Sequence, residues 1–185
     1  CGCPNAGRFM TLGASEAKGL SLPYRPCVGV VLINPERKVW IGKRREKFKH
    51  QRESWQMPQG GIDRGENPAK AALRELAEET GTDKAEIIGQ TSEWLSYDLP
   101  PERLGIALKG KYRGQKQMWF AMRFLGSDTD FNILEPPGGH KPEFDDWRWA
   151  ELEETVGLIV PFKRDVYAEL VEALVPLRDY IRARG

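Results

Sequence analysis

Apolar positions along this chain group into short runs with two distinct spacings. Cys27 to Ile33 is an unbroken apolar run apart from one glycine, the pattern of a strand buried on both faces. Asn34-Pro35-Glu36-Arg37 reads as a turn, and Val39 to Lys43 as the strand that returns from it. Ser54 to Met57 predicts a further short strand that runs into a glycine loop at Gly60 and Gly61. The clearest helix follows. Asn67 suits the N-cap, Pro68 the first helical position and Gly81 the C-cap, with Ala69, Leu73, Leu76 and Thr80 on one side at 3.6-residue spacing. Ile87 to Leu99 and Gln117 to Leu125 are expected as two strands, Phe131 to Phe144 as a Pro/Gly-rich loop, and Trp147 to Trp149 as a short strand. Val166, Leu170 and Leu174, flanked by Tyr167 and Val171, mark a final amphipathic helix. Strands outnumber helices and do not alternate with them, which predicts an α+β fold rather than a doubly wound sheet.

Residues 1–22 carry Gly, Ala and Ser without a sustained period, so a flexible arm is expected there, followed by one domain over 23–185. A formal net charge of +1 gives no bulk attraction to nucleic acid or membrane, so phosphate affinity must come from local clusters. Two basic stretches qualify, Lys43 to Arg52 and Lys109 to Lys116. No apolar run reaches the ~18 residues of a membrane span, so no membrane association is expected. Cys1, Cys3 and Cys27 do not amount to a disulfide framework, which favours a cytoplasmic setting. Trp94, Trp119, Trp147 and Trp149 are read as mostly core.

Chemistry concentrates on the central helix. Glu75, Glu78 and Glu79 stand at i, i+3 and i+4 and share an arc of about 100°; the apolar side, centred on Leu73 and Leu76, is expected to point well away from it. Such a face is commonly a solvated acidic surface, with Arg74 answering Glu78 at i,i+4. The preceding glycines change the reading. Gly60 and Gly61 let the backbone turn, with positive φ as one route, and bring a main-chain carbonyl toward the carboxylates. Carboxylates plus a carbonyl form the hard-oxygen set that Mg²⁺ or Mn²⁺ prefers. A cation held there lowers the pKa of a bound water and neutralises charge on a phosphoryl oxygen.

Gly60, five residues, Glu66, seven residues, then Arg74-Glu75-Leu76-Ala77-Glu78-Glu79-Thr80-Gly81 resembles the Nudix box; only Thr82, where the family carries an aliphatic residue, departs from it. The resemblance implies an α/β/α sandwich with a mixed β-sheet and flanking helices. It also implies Glu75, Glu78 and Glu79 as metal ligands with the Gly60 carbonyl, and Glu66 and Arg74 as a brace of the box. The implied cofactor is Mg²⁺ or Mn²⁺, with Zn²⁺ an alternative. The flanks Tyr24-Arg25-Pro26, Pro58-Gln59-Gly60-Gly61, Gly114-Gln115-Lys116-Gln117, Pro142-Glu143-Phe144 and Phe162-Lys163-Arg164-Asp165 look like the branch of RNA pyrophosphohydrolases and dinucleoside polyphosphate hydrolases. In that branch Glu143 would join the metal cluster or serve as general base, Arg25, Arg44 and Lys163 would hold phosphates, and Val160 and Phe162 would grip a base. Phe162 reads equally well as a core anchor. The implied activity is hydrolysis of a nucleoside-linked polyphosphate, either a triphosphorylated RNA 5′ end or a dinucleoside polyphosphate. A catalytically silent nucleotide-binding module and a mononucleotide-sanitising pyrophosphatase are the rival readings.

Overall fold

The computed structural model describes residues 19, 21–45 and 54–183. Most of the expected arm at 1–22 and much of the basic stretch Lys43 to Arg52 lie outside the described residues. Eight strands form one mixed sheet: β1 (Tyr24–Ile33), β2 (Val39–Arg44), β3 (Trp55–Gln56), β4 (Gln59–Gly61), β5 (Ala85–Gln90), β6 (Leu95–Asp98), β7 (Gly114–Phe124) and β8 (Phe144–Ala150). Helices α1 (Pro68–Thr80), α2 (Thr155–Leu158) and α3 (Arg164–Ala183) complete it. The spine runs β3-β2-β1-β7-β5, with β4 paired to β1, β6 to β7 and β8 to β2. The central pair, β1 with β7, is parallel and in register from Tyr24 opposite Gly114 to Ile33 opposite Arg123.

The apolar run on β1 is explained by burial on both faces. Val28, Val30 and Leu32 join Phe120, Met122, Ala71, Ala72 and Leu76 in the core beneath α1. Val31 and Ile33 join Trp119, Ala121, Tyr167, Leu170 and Leu174 in a second core beneath α3. The result is the helix–sheet–helix sandwich expected of the sequence. Among the described residues no helix is long and apolar enough to cross a membrane.

Several boundaries differ from expectation. The segment Ile87 to Leu99 is two strands, because Thr91 leaves the ladder. Its N–H donates to the Trp119 carbonyl at 2.9 Å and its hydroxyl accepts from the Trp119 N–H at 3.1 Å. The strand near Trp147 is longer than predicted and starts at Phe144, which packs at 0% exposure under α1. Trp94 is 39% exposed, not core, and lies 5.2 Å from the Lys116 ammonium. Trp119 is buried, while Trp147 and Trp149 pack partly buried in an aromatic cluster with Trp40, Phe124 and Phe131.

Candidate active site

Helix α1 starts and stops where its caps dictate. The Asn67 side chain accepts from the N–H groups of Ala69 at 2.9 Å and Lys70 at 3.3 Å, and Gly81 takes the left-handed conformation at φ 84°. Thr82, the departure from the box, is buried, and its hydroxyl accepts from the Lys84 N–H at 3.2 Å. A polar side chain is therefore satisfied where an aliphatic one would pack.

The glutamate arc does not point away from the packed side of α1, as the periodicity suggested. Ala71, Ala72, Leu76, Glu79 and Thr80 are all buried, while Leu73 and Ala69 are only partly so. The helix settles its glutamate face onto β1 and β4, and β4 is thin enough to allow this. Gly60 and Gly61 are extended strand residues rather than a positive-φ turn. Their use is space: a Cβ on Gly60 would lie 2.0 Å from a Glu75 carboxylate oxygen, and one on Gly61 2.3 Å from the Arg25 guanidinium.

Arg74 ties the box together. Its guanidinium binds Glu66 through two parallel hydrogen bonds of 2.8 Å, donates to the Gly61 carbonyl at 2.9 Å and reaches Glu75 at 2.8 Å and Glu78 at 3.4 Å. Those bonds hold the Glu66 carboxyl down at about 2. Burial has the opposite effect on the helix's inner carboxylates. Glu79 is pushed well above the usual carboxylate range by desolvation, with the Glu143 and Glu75 charges adding to it, although the Gln59 N–H donates to it at 3.1 Å. Glu75 is raised by desolvation against the pull of Arg74.

These residues line a cavity of about 440 Å³. Its lining brings together the carboxylates of Glu75, Glu78, Glu79 and Glu143 with the basic side chains of Arg25, Arg44 and Lys141 and the His140 imidazole. Arg44 stands 3.5 Å from Glu143, and His140 3.6 Å from Glu78. Among the described residues no three His, Cys, Asp or Glu side chains already converge as a metal cluster, and Glu75 and Glu78 turn to Arg74. The donor chemistry nevertheless fits a hard divalent cation. Carboxylates of raised pKa crowd one another beside the two glycines of β4, an arrangement that a positive charge would relieve.

Of the residues singled out from sequence, Arg25, Arg44, Gly60, Glu75, Glu78, Glu79 and Glu143 meet at this cavity, with Glu66 and Arg74 behind it. Lys163, Val160 and Phe162 do not line it. Lys163 is buried beneath it, donating to the Gln59 side-chain oxygen at 3.3 Å and lying 5.2 Å from the Tyr97 ring, and desolvation lowers its ammonium to about 8. Phe162 packs on Tyr97 at 5.6 Å beside Leu99 and Val166, the place of a core anchor, and Val160 packs against the core beneath α3. The basic stretch near Lys109 is partly committed, since Arg113 pairs with Asp98 at 2.7 Å.

Sequence reasoning did not assign functions to Gln59, Gln115 and Gln117. Gln117 is 1% exposed; its amide donates to Gln59 at 2.6 Å and to Gln115 at 3.0 Å, and it accepts from the Trp119 indole at 3.2 Å. Alternating glutamines on a strand next to an invasive tryptophan would have been the signal. His140, Lys141 and Leu108 lie in aperiodic loops and gave none.

Comparison with known proteins places these features in context. The NUDIX domain profile matches residues 23–170. The chain is 53% identical over 155 residues to the RNA pyrophosphohydrolase of Brucella abortus (strain 2308), covering 82% of this chain and 87% of the relative. It is 51% identical over 156 residues to the RNA pyrophosphohydrolase of Rhizobium meliloti (strain 1021), covering 82% and 93%. Among solved structures, the E. coli dihydroneopterin triphosphate pyrophosphohydrolase superposes with TM-score 0.59 at 17% identity, over 82% of this chain and 99% of that one. A C. elegans Ap4A hydrolase binary complex superposes with TM-score 0.54 at 17% identity, over 85% and 98%. At such identities the two structures speak to the fold alone.

Proposed function

This chain belongs to the NUDIX family and is a Nudix hydrolase, and from that premise we propose that it removes pyrophosphate from 5′-triphosphorylated RNA, leaving a 5′-monophosphate. The observation that carries the proposal is the cavity itself: crowded carboxylates, Glu79 buried among them, share one space of about 440 Å³ with Arg25 and Arg44. The relatives at 51–53% identity are RNA pyrophosphohydrolases, which ranks RNA ahead of a dinucleoside polyphosphate as substrate.

In this reading Arg25 and Arg44 bind phosphate oxygens, each through a planar fork suited to them. Glu75, Glu78 and Glu79, with the Gly60 carbonyl, would hold Mg²⁺ or Mn²⁺, Glu75 and Glu78 exchanging the Arg74 contact for it. The ion, when bound, makes water easier to deprotonate and neutralises charge developing on the phosphoryl group. Water adds across the anhydride: one new P–O bond forms, the bridging oxygen leaves with the other phosphoryl group, and the water's proton passes to a carboxylate. Glu143 is suited to take it, being at the cavity wall immediately before β8 and steadied by Arg44 at 3.5 Å. The cytoplasmic setting inferred from the cysteines belongs to the same reading, as does a single catalytic domain over 23–185.

The test is a comparison of initial rates on triphosphorylated RNA and on diadenosine tetraphosphate with Mg²⁺ or Mn²⁺. Release of pyrophosphate from RNA at the greater kcat/KM is expected. Rapid dinucleotide cleavage beside negligible attack on RNA reverses the order, and absence of both would leave a mononucleotide pyrophosphatase or a binding module.

A further inference from the structure

Strand β4 is three residues long, and only Gln59 gives it a side chain, since Gly60 and Gly61 have none. Yet β4 sets the geometry of the carboxylates. Its Gln59 N–H donates to Glu79 at 3.1 Å, and Gly60 leaves room for nothing but the Glu75 carboxylate. Apart from its ladder with β1 and the Arg74 contact to the Gly61 carbonyl, the strand is tied to the body of the protein by that one side chain. The Gln59 amide oxygen accepts from Gln117 at 2.6 Å and from the Lys163 ammonium at 3.3 Å.

The amides can be arranged in only one way. The Trp119 indole donates and cannot accept, so Gln117 turns its oxygen to it at 3.2 Å and its NH₂ to Gln59 and Gln115 at 2.6 and 3.0 Å. An ammonium also only donates, so Gln59 turns its oxygen inward. Trp119 is fixed in turn. It lies across Gly29, its partner in the β1–β7 ladder, where a Cβ would collide with the ring, and it meets the Tyr167 ring edge-on at 5.6 Å. Gln117 thus uses both its donors and its acceptor while 1% exposed, and a buried network satisfied in this way specifies a single arrangement. Gln117 itself does not line the cavity, whereas Gln59 does. We propose that Gln117 is a positioning residue for the cation site: oriented by Trp119 and acting through Gln59, it fixes β4 where the Gln59 N–H meets Glu79. This deepens the reading of the carboxylates as the seat of a divalent cation in a hydrolase and rests on it. It adds a residue that touches neither the ion nor the substrate.

The test separates positioning from stability. Gln117→Met keeps the length of the side chain and removes its hydrogen bonds. Trp119→Phe keeps an aromatic ring over Gly29 and removes the donor that orients the amide. Leu174→Ala, in the core beneath α3 and outside the network, shows what lost stability does by itself. Mn²⁺ binding to the full chain is followed by electron paramagnetic resonance, beside Tm and steady-state hydrolysis of triphosphorylated RNA. Partners behind metal ligands are worth roughly 10–100-fold in affinity or activity, so Gln117→Met should weaken Mn²⁺ binding about tenfold or more. It should lower kcat while KM for RNA stays within about twofold of wild type. Trp119→Phe should weaken Mn²⁺ binding about threefold and add nothing in the Gln117→Met background, because both act through one chain of bonds. Leu174→Ala should lower Tm with Mn²⁺ affinity unchanged. Unchanged affinity in Gln117→Met, losses that add in the double variant, or an equal loss in Leu174→Ala each overturn the proposal. If Gln117→Met does not fold, Trp119→Phe decides alone, and unchanged Mn²⁺ affinity there overturns it. A wild type that binds no Mn²⁺ overturns the proposal together with the ligand set. A wild type that releases no pyrophosphate, while its Mn²⁺ affinity still depends on Gln117, removes the hydrolytic reading and leaves the positioning role standing.

Discussion

Gly60 and Glu75 sit so close that a single added carbon on the glycine would occupy the carboxylate's place, 2.0 Å from its oxygen. The contact joins β4 to α1 and sets the depth at which the helix's acidic face lies on the sheet. Gly60→Ala is expected to cut turnover by about 100-fold or more, because displacements near 1 Å at a reacting centre have effects of that size. Steady-state kinetics on triphosphorylated RNA, with Tm to follow the fold, checks it. Near-normal turnover would mean that Glu75 has no fixed role.

Glu79→Gln separates chemistry from stability. Glu79 is a buried carboxylate whose ionised form is disfavoured by desolvation and by Glu143 and Glu75. A neutral amide keeps the shape and can still accept from the Gln59 N–H. Turnover should fall by about two orders of magnitude or more while Tm stays level or rises. Mn²⁺ titration followed by electron paramagnetic resonance should show weakened binding, and full activity with normal Mn²⁺ affinity would remove Glu79 from the ligand set.

The Glu66–Arg74 pair should reveal itself in acid. Its carboxyl is held at about 2 in the folded chain against an ordinary 4.5. A depressed folded value gives stability that is fully present above 4.5 and is lost as pH falls toward 2. Glu66→Gln is therefore expected to cost about 1–3 kcal/mol at pH 7, the range for hydrogen bonds to charged groups. The gap to wild type should shrink as pH falls from 4.5 toward 2, read by urea unfolding at several pH values. A gap independent of pH would show that the ion pair is not what the mutation removes.

Lys163 predicts a slope of the same sign in alkali. Its folded value of about 8 lies below the ordinary 10.5, so between these limits the unfolded chain binds more protons than the folded one. The cost of burying the ammonium is present below 8 and is relieved as pH rises to 10.5. Wild type should thus gain stability relative to Lys163→Met across that window in urea unfolding. A difference that stays flat from pH 7.5 to 10.5 would place the ammonium in contact with water.

What was legible in the sequence was local or periodic. The caps Asn67 and Gly81 fix α1 through contacts a few residues long, and the 3.6-residue period alone put Glu75, Glu78 and Glu79 on one arc. The two-faced burial of β1 could be read from its unbroken apolar run. The depth of Glu79 could not, since it depends on the room that Gly60 and Gly61 leave beneath the helix and on the Gln59 N–H that meets the carboxylate. Long-range polar bonds were equally silent. Gln117 and Lys163 meet at the Gln59 oxygen from distant parts of the chain, and neither residue's neighbours in sequence carry any trace of that meeting. The split between β5 and β6 escaped notice because Thr91 bonds to Trp119, far along the chain, rather than to a local turn.

The parallel pairing of β1 with β7 has a consequence for biosynthesis. Tyr24 and Gly114 are partners in the ladder, yet most of the chain between them emerges from the ribosome before they can meet. Until then α1 has only half its floor, and Glu143, later still, has not been made. Loop closure over such a span makes folding slow compared with a chain of local contacts. A nascent chain cut short before β8 would expose its acidic helix and an open strand edge together, a target for chaperones and proteases rather than a partial enzyme.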